Sequence, residues 1–147
     1  MSTTTTEIQA GTTATAYGLD APSRLPLWKH GLTAALAASV ATTVLASCAS
    51  AAGVSFADSA GAGIPIAAFA QVTLVLSLVG VGLAAVMARR VRRPRRTFVR
   101  TTVALTALSF VPDLTVGFDA ASAATLIALH CVAAAIVVPT LAKRLAR

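Results

Sequence analysis

From Gly31 to Ala57 the chain carries no Asp, Glu, Lys or Arg, an uncharged run of 27 residues. About 20 mostly apolar residues, rising about 1.5 Å each as a helix, cross the hydrocarbon core of a bilayer. In water a helix this long and uncharged would need apolar partners on every side. In lipid it needs none. The rest of the chain supports the second setting, with 56% hydrophobic residues and only 12% charged ones, where globular domains carry about 25% charge. Mean hydropathy is +0.81. So apolar a chain has too little polar surface to cover a shell facing water.

The basic residues are as unevenly placed as the apolar ones. The stretch Arg89-Arg90-Val91-Arg92-Arg93-Pro94-Arg95-Arg96-Thr97-Phe98-Val99-Arg100 holds seven of the twelve Lys and Arg residues. Long apolar segments flank it. In a soluble protein the net charge of +7 would suggest nucleic acid. Here the charges collect at the ends of apolar runs, which is the pattern that orients a membrane protein. The expectation is a cytoplasmic loop that pins topology and touches anionic lipid headgroups through Arg89, Arg90, Arg92, Arg93, Arg95, Arg96 and Arg100. Lys143 and Arg144 do the same beyond the last apolar run. No nucleic-acid partner is expected.

Residues 1–29 are polar and Thr-rich and predict a mostly disordered cytoplasmic tail. Trp28 suits a membrane interface. Residues 30–147 form the predicted transmembrane domain. Its first helix is expected at about 31–52. There Ala34, Ala38, Thr42, Ala46 and Ser50 repeat every four residues, a stripe that lets another backbone approach closely. An Ala-rich helix also shows such stripes by chance. After a Gly- and Ser-containing loop, Pro65 suits the first turn of a second helix, about 65–88. On that helix Thr73, Ser77, Gly80 and Ala84 share one face. The fourth helix, about 121–142, is charge-free between Asp119 and Lys143.

The third segment is the weakest, since only twelve residues between Arg100 and Asp113 are uncharged. Charge placement decides whether it crosses. If 98–118 stays on one side, Lys143, Arg144 and Arg147 end opposite the arginine cluster. If it crosses, all twelve basic residues share one side, with Asp58 and Asp119 on the other. The positive-inside rule favours crossing. The predicted fold class is all-α, an integral membrane four-helix bundle with both termini cytoplasmic. The predicted location is the plasma membrane, multi-pass.

Along the third helix Thr102, Thr106, Ser109 and Asp113 fall on one face. An unpaired polar group in hydrocarbon costs several kcal/mol, so this face should turn into the bundle. An intramembrane acid is a functional hypothesis by default. Counting depth from the helix ends places Gln71 level with Asp113 and His130 a turn deeper. That predicts an intramembrane polar cluster of Gln71, Ser109, Asp113 and His130, with a Gln71–Asp113 hydrogen bond. Two readings of it stand. As a structural clasp it fixes helix pairing in a non-enzymatic membrane or interaction subunit, whose partner would be a second copy or another membrane protein. As a titrating site it serves a small proton- or cation-coupled transporter.

Other chemistry is poorly supported. The chain has no GxSxG, HExxH, GxxxxGK[ST] or Gly-rich dinucleotide motif. Ser109 and Asp113 lie one turn apart on one helix, a poor basis for a triad with His130. No enzyme, no cofactor and no metal site is expected. Cys48 and Cys131 stand alone in apolar runs and read as small packing residues. Leu45-Ala46-Ser47-Cys48 looks like a bacterial lipobox. Cleavage there would require a leader extending to residue 30 before its apolar region, very long for a signal peptide.

Taken together, Phe69-Ala70-Gln71 with Thr73-Leu74, Arg93-Pro94-Arg95-Arg96-Thr97-Phe98, Leu105-Thr106-Ala107-Leu108-Ser109 before Val111-Pro112-Asp113, and His130 with Ala133-Ala134-Ala135-Ile136-Val137-Val138-Pro139 resemble one family. It is the uncharacterised four-helix membrane family known as domain of unknown function 6069, from high-GC Gram-positive bacteria. The likeness covers about residues 27–145. It implies a four-crossing membrane protein and no particular activity. Gln71, Pro112, Asp113 and His130 fall inside its motif blocks, and the Cys48 segment falls outside them.

Overall fold

The structure, a computed structural model, describes residues 27–145. Among these the fold is all-α, with helices α1 (Leu27–Ala51), α2 (Ile66–Arg90), α3 (Pro94–Thr115) and α4 (Ala120–Arg144). The tail expected over 1–29 falls largely outside the described residues. Its last three residues, Leu27 to Lys29, already belong to the first turn of α1.

Local chemistry sets the helix ends. Pro65 caps α2 in an extended conformation, so the helix starts at Ile66. Pro94 occupies the first turn of α3, where its missing N–H leaves no helical bond unmade. The expected arginine loop is therefore only a three-residue turn, Val91 to Arg93. Arg89 and Arg90 end α2, where cations complement the helix dipole. Arg95, Arg96 and Arg100 lie in the first turns of α3, where the dipole opposes them. At the far end α3 stops at Thr115 rather than 118, because Gly117 takes φ +90°, a conformation that glycine adopts freely.

Around the bundle each helix packs on its neighbours in the order α1, α2, α3, α4 and back to α1. The α1 seams with α2 and α4 are the most extensive, and the α2–α3 seam is the thinnest. On α1 Gly31, Ala34, Ala35, Ala38, Ser39, Thr42 and Ala46 are buried. Ser39 Oγ donates to the Ala70 carbonyl at 2.8 Å, and Thr42 Oγ1 donates to Thr73 Oγ1 at 3.1 Å. These bonds need the two backbones close, which small side chains permit.

The apolar core divides into two ends. Phe98, Leu141, Ala142 and Leu145 cluster with Ala38 and Ala84 at one end, against Leu27 and Met87. Ala46, Phe56, Leu126 and Leu129 cluster at the other, against Phe69 and Phe118. α3 runs from the first cluster toward the second, so it spans the length of the bundle. Its start lies beside the end of α2 and the end of α4. Its far end meets the α1–α2 loop, where Gly117 packs under Ser59.

α1, α2 and α4 are each 25 residues long and apolar enough to cross a membrane, and they point to a membrane location. α3 has 22 residues, about 33 Å of helix. Its length matches the other three, although its composition is more polar.

Candidate functional site

α3 turns its polar stripe inward. Thr102, Thr106, Ser109 and Asp113 line one groove together, while Val103, Leu108, Val111 and Leu114 point outward. The groove has a volume of about 650 Å³. It lies along the thin α2–α3 seam, with α4 and Thr42 of α1 as its floor. Its walls are mainly apolar, with Leu76, Leu83 and Leu105 among them. Phe98 closes one end, and Phe69 and Phe118 stand at the other.

The groove's sharpest feature is Asp113, in the last turn of α3, with a side chain only 8% exposed. His130 of α4 meets it, Nδ1 lying 3.1 Å from Asp113 Oδ2. The contact follows from helix geometry. Side chains lean toward the N-terminal end of their own helix. In antiparallel α3 and α4 the two side chains therefore lean toward each other along the bundle axis. The T-shaped contact of Phe110 with His130, ring centroids 6.3 Å apart, backs the imidazole.

The proton on Nδ1 can be placed. Nδ1 also lies 2.9 Å from the Leu126 carbonyl oxygen. An unprotonated nitrogen this close to a carbonyl would oppose lone pair to lone pair, so Nδ1 carries hydrogen. In the neutral ring Nε2 is then the acceptor. The Leu126 oxygen takes the Nδ1 proton, and Asp113 Oδ2, although enclosed, has no well-aligned donor. The acid also sits where the negative end of the α3 dipole opposes a negative charge. Asp113 thus keeps unused hydrogen-bond acceptor capacity inside the bundle.

The hydroxyls beside it spend their protons on their own helices. Ser109 Oγ donates to the Thr106 carbonyl at 2.7 Å, and Thr102 Oγ1 donates to the Phe98 carbonyl at 2.9 Å. Each is left with acceptor lone pairs. The Asp113 carboxyl and these hydroxyls put hydrogen-bond acceptors along the polar side of the groove.

Of the four residues expected to cluster, the structure brings together Asp113 and His130 and places Ser109 on the same groove. Gln71 does not join them. It is exposed on the outer face of α2. Helix phase explains this, since Gln71 lies about 200° around the helix from Thr73, and Thr73 faces α1. Thr42, Thr73 and Ser77 also line the groove. Their spacing in the sequence predicts close-packing positions only. Both cysteines are free and exposed, so they do not pack inside the bundle. Among the described residues no cluster of His, Cys, Asp or Glu is arranged to hold a metal ion.

All ten Lys and Arg among the described residues fall toward the end of the bundle that holds the α2–α3 turn, the start of α1 and the end of α4. Asp58 and Asp119 lie at the opposite end. There Asp119 caps α4, its carboxylate accepting from the Ser122 N–H and hydroxyl, each at 2.8 Å. These bonds hold its pKa below the ordinary aspartate range. Ser122 Oγ in turn accepts from the Phe56 N–H at 3.1 Å, tying the α1–α2 loop to α4. An Asp three residues before a Ser is a helix-cap pattern, a signal that could have located this junction.

A family model described as a family of unknown function, DUF6069, matches residues 22–147, and the chain belongs to that family. No curated protein and no solved structure matches the chain.

Proposed function

We propose that the chain is a bacterial plasma-membrane protein that crosses the bilayer four times, with both termini in the cytoplasm, and works without catalysis as a membrane or interaction subunit. The observation that carries this reading is the Asp113–His130 contact. It ties α3, the helix least able to enter lipid by composition, to α4 from within. Even a well-made side-chain hydrogen bond between membrane helices averages only about 0.6 kcal/mol, so this contact, whose Nδ1 proton goes to the Leu126 carbonyl, adds little by itself. Keeping an acid away from acyl chains adds to this; the cost is about 2.5–3.5 kcal/mol at a helix centre and less at Asp113, in the last turn.

The segregation of charge supports the orientation. With the basic end inside, Asp58 and Asp119 lie outside and the arginines meet anionic headgroups. Each Arg near such a surface contributes about 1 kcal/mol. A second copy or another membrane protein is the partner this reading calls for.

A second reading has its own support. Asp113 lines the groove, so it could serve a small proton- or cation-coupled transporter. Proteoliposomes loaded with a pH-sensitive dye separate the two. The subunit reading predicts no proton movement under an imposed Na⁺ or K⁺ gradient. Proton movement that disappears in Asp113→Asn would replace it with transport.

A further inference from the structure

We propose that the α2–α3 groove binds a lipophilic amine, with its ammonium head at Asp113 and its apolar body along Leu76, Leu83 and Leu105. The inference goes beyond a subunit role. It rests on α3 crossing the bilayer, which cysteine labelling tests separately.

Three observations select this ligand class. The first is size and character. The groove's 650 Å³ falls within the roughly 300–1,000 Å³ of small-molecule sites, which are largely apolar with a few placed polar groups. The second is charge. Asp113 is the sole acidic residue within the four described helices, and it lies at the groove rather than on the lipid face. A cation is the complement it lacks. The third is the hydrogen-bond balance. Asp113 Oδ2 is enclosed without an aligned donor. The Ser109 and Thr102 hydroxyls have already given their protons to carbonyls and keep acceptor lone pairs, while Thr106 holds the one hydroxyl of this stripe that can still donate. An occupant that brings donors satisfies these groups. An occupant that brings only acceptors leaves them unpaired.

A primary ammonium has three N–H donors and a positive charge. An alcohol of the same chain length brings one donor and no charge. A carboxylate of that length brings like charge against Asp113. An acyl chain alone would fill the apolar part and leave the acid as it was. The ordering expected is therefore amine, then alcohol, then carboxylate.

The test uses the purified full chain in detergent micelles, with dodecylamine, dodecan-1-ol and dodecanoate as probes and thermal unfolding as the readout. Dodecylamine should raise the midpoint saturably, at a concentration at least tenfold lower than dodecan-1-ol. Asp113→Asn should remove that preference. Should Asp113→Asn fail to fold, Thr106→Leu fills the middle of the groove without touching the Asp113–His130 contact, and should weaken amine binding at least tenfold. Equal shifts by amine and alcohol in the wild type would overturn the proposal and leave a groove that holds acyl chains only. An amine preference that survives both substitutions would overturn it too, by placing the amine elsewhere.

Discussion

The two seams that α2 makes with its neighbours are built on opposite principles. Between α1 and α2 small residues bring the backbones close, and hydroxyls bond across the seam, as Thr42 does to Thr73. Between α2 and α3 large side chains stand apart, and hydroxyls bond back to their own helix, as Ser109 does to Thr106. The first seam is closed and spends its polar atoms on holding helices together. The second is open and leaves acceptors facing a cavity. In lipid no hydrophobic driving force closes a gap between helices. A seam without cross-helix bonds therefore stays open, even with Ser77, Gly80 and Ser109 along it, and polar atoms placed there face the cavity.

The strongest way to break this contrast is to overpack both seams. A Cβ at Gly31 would lie 2.5 Å from Val81 Cγ2 and 2.7 Å from Cγ1. Gly31→Leu should destabilise the bundle by about 1–3 kcal/mol, read from unfolding in SDS-containing mixed micelles. Thr106→Leu in the open seam should stay within about 1 kcal/mol of the wild type. Equal losses would show that the groove is as tightly packed as the α1 seam.

A comparable effect is expected where the loop meets α4. Ser122→Ala leaves the buried Phe56 N–H without its acceptor. An unsatisfied buried donor costs about 1–3 kcal/mol, so the same assay should show a loss in that range. A neutral result would mean that Phe56 is held by its ring packing on Phe69, 5.0 Å between centroids, and not by the bond.

Smaller still is the coupling between α3 and α4. A double-mutant cycle over Asp113→Asn and His130→Gln should give a small coupling, no more than the roughly 0.6 kcal/mol of an average interhelical hydrogen bond, because the Leu126 carbonyl takes the Nδ1 proton. Zero coupling would remove the clasp.

The least effect concerns Asp119, whose pKa is lowered, mainly by the Ser122 backbone N–H and then by the Ser122 hydroxyl. Its folded pKa lies below its unfolded one. Its contribution is complete above the unfolded value of about 3.9 and is lost as pH falls through the lower, folded value. Asp119→Asn keeps a good helix cap without the titration. Below about pH 4 the wild type should lose stability more steeply than this variant. Parallel curves would remove Asp119 as the cause.

Much of this arrangement is legible in the chain. Three of the helices follow from uncharged runs and α3 from the placement of charge around it, and the inward turn of Thr102, Thr106, Ser109 and Asp113 follows from helical spacing. The meeting of Asp113 with His130 is legible in outline, since α4 was one of two helices able to supply a partner. Gln71 shows the limit of counting depth alone. Depth says how far along a helix a residue sits, and phase says where it points. The groove itself was not legible. Whether hydroxyls such as Thr73 and Ser77 mark a closed seam or line a cavity depends on the separation of α2 from α3. That separation follows from side chains on three helices at once. The left-handed Phe56, at φ 50°, was likewise hidden, because its N–H finds its acceptor on Ser122, 66 residues away.

The groove opens within the bilayer only if α3 lies across the membrane, and one substitution addresses that directly. Val116, 46% exposed at the end of α3, is replaced by Cys in a chain whose Cys48 and Cys131 are changed to Ala. Intact cells are then treated with a membrane-impermeant maleimide. The four-crossing arrangement predicts labelling at residue 116 without permeabilisation, while a Cys at Arg92 reacts only after it. Labelling at 116 that also requires permeabilisation would place both ends of α3 inside and contradict the account.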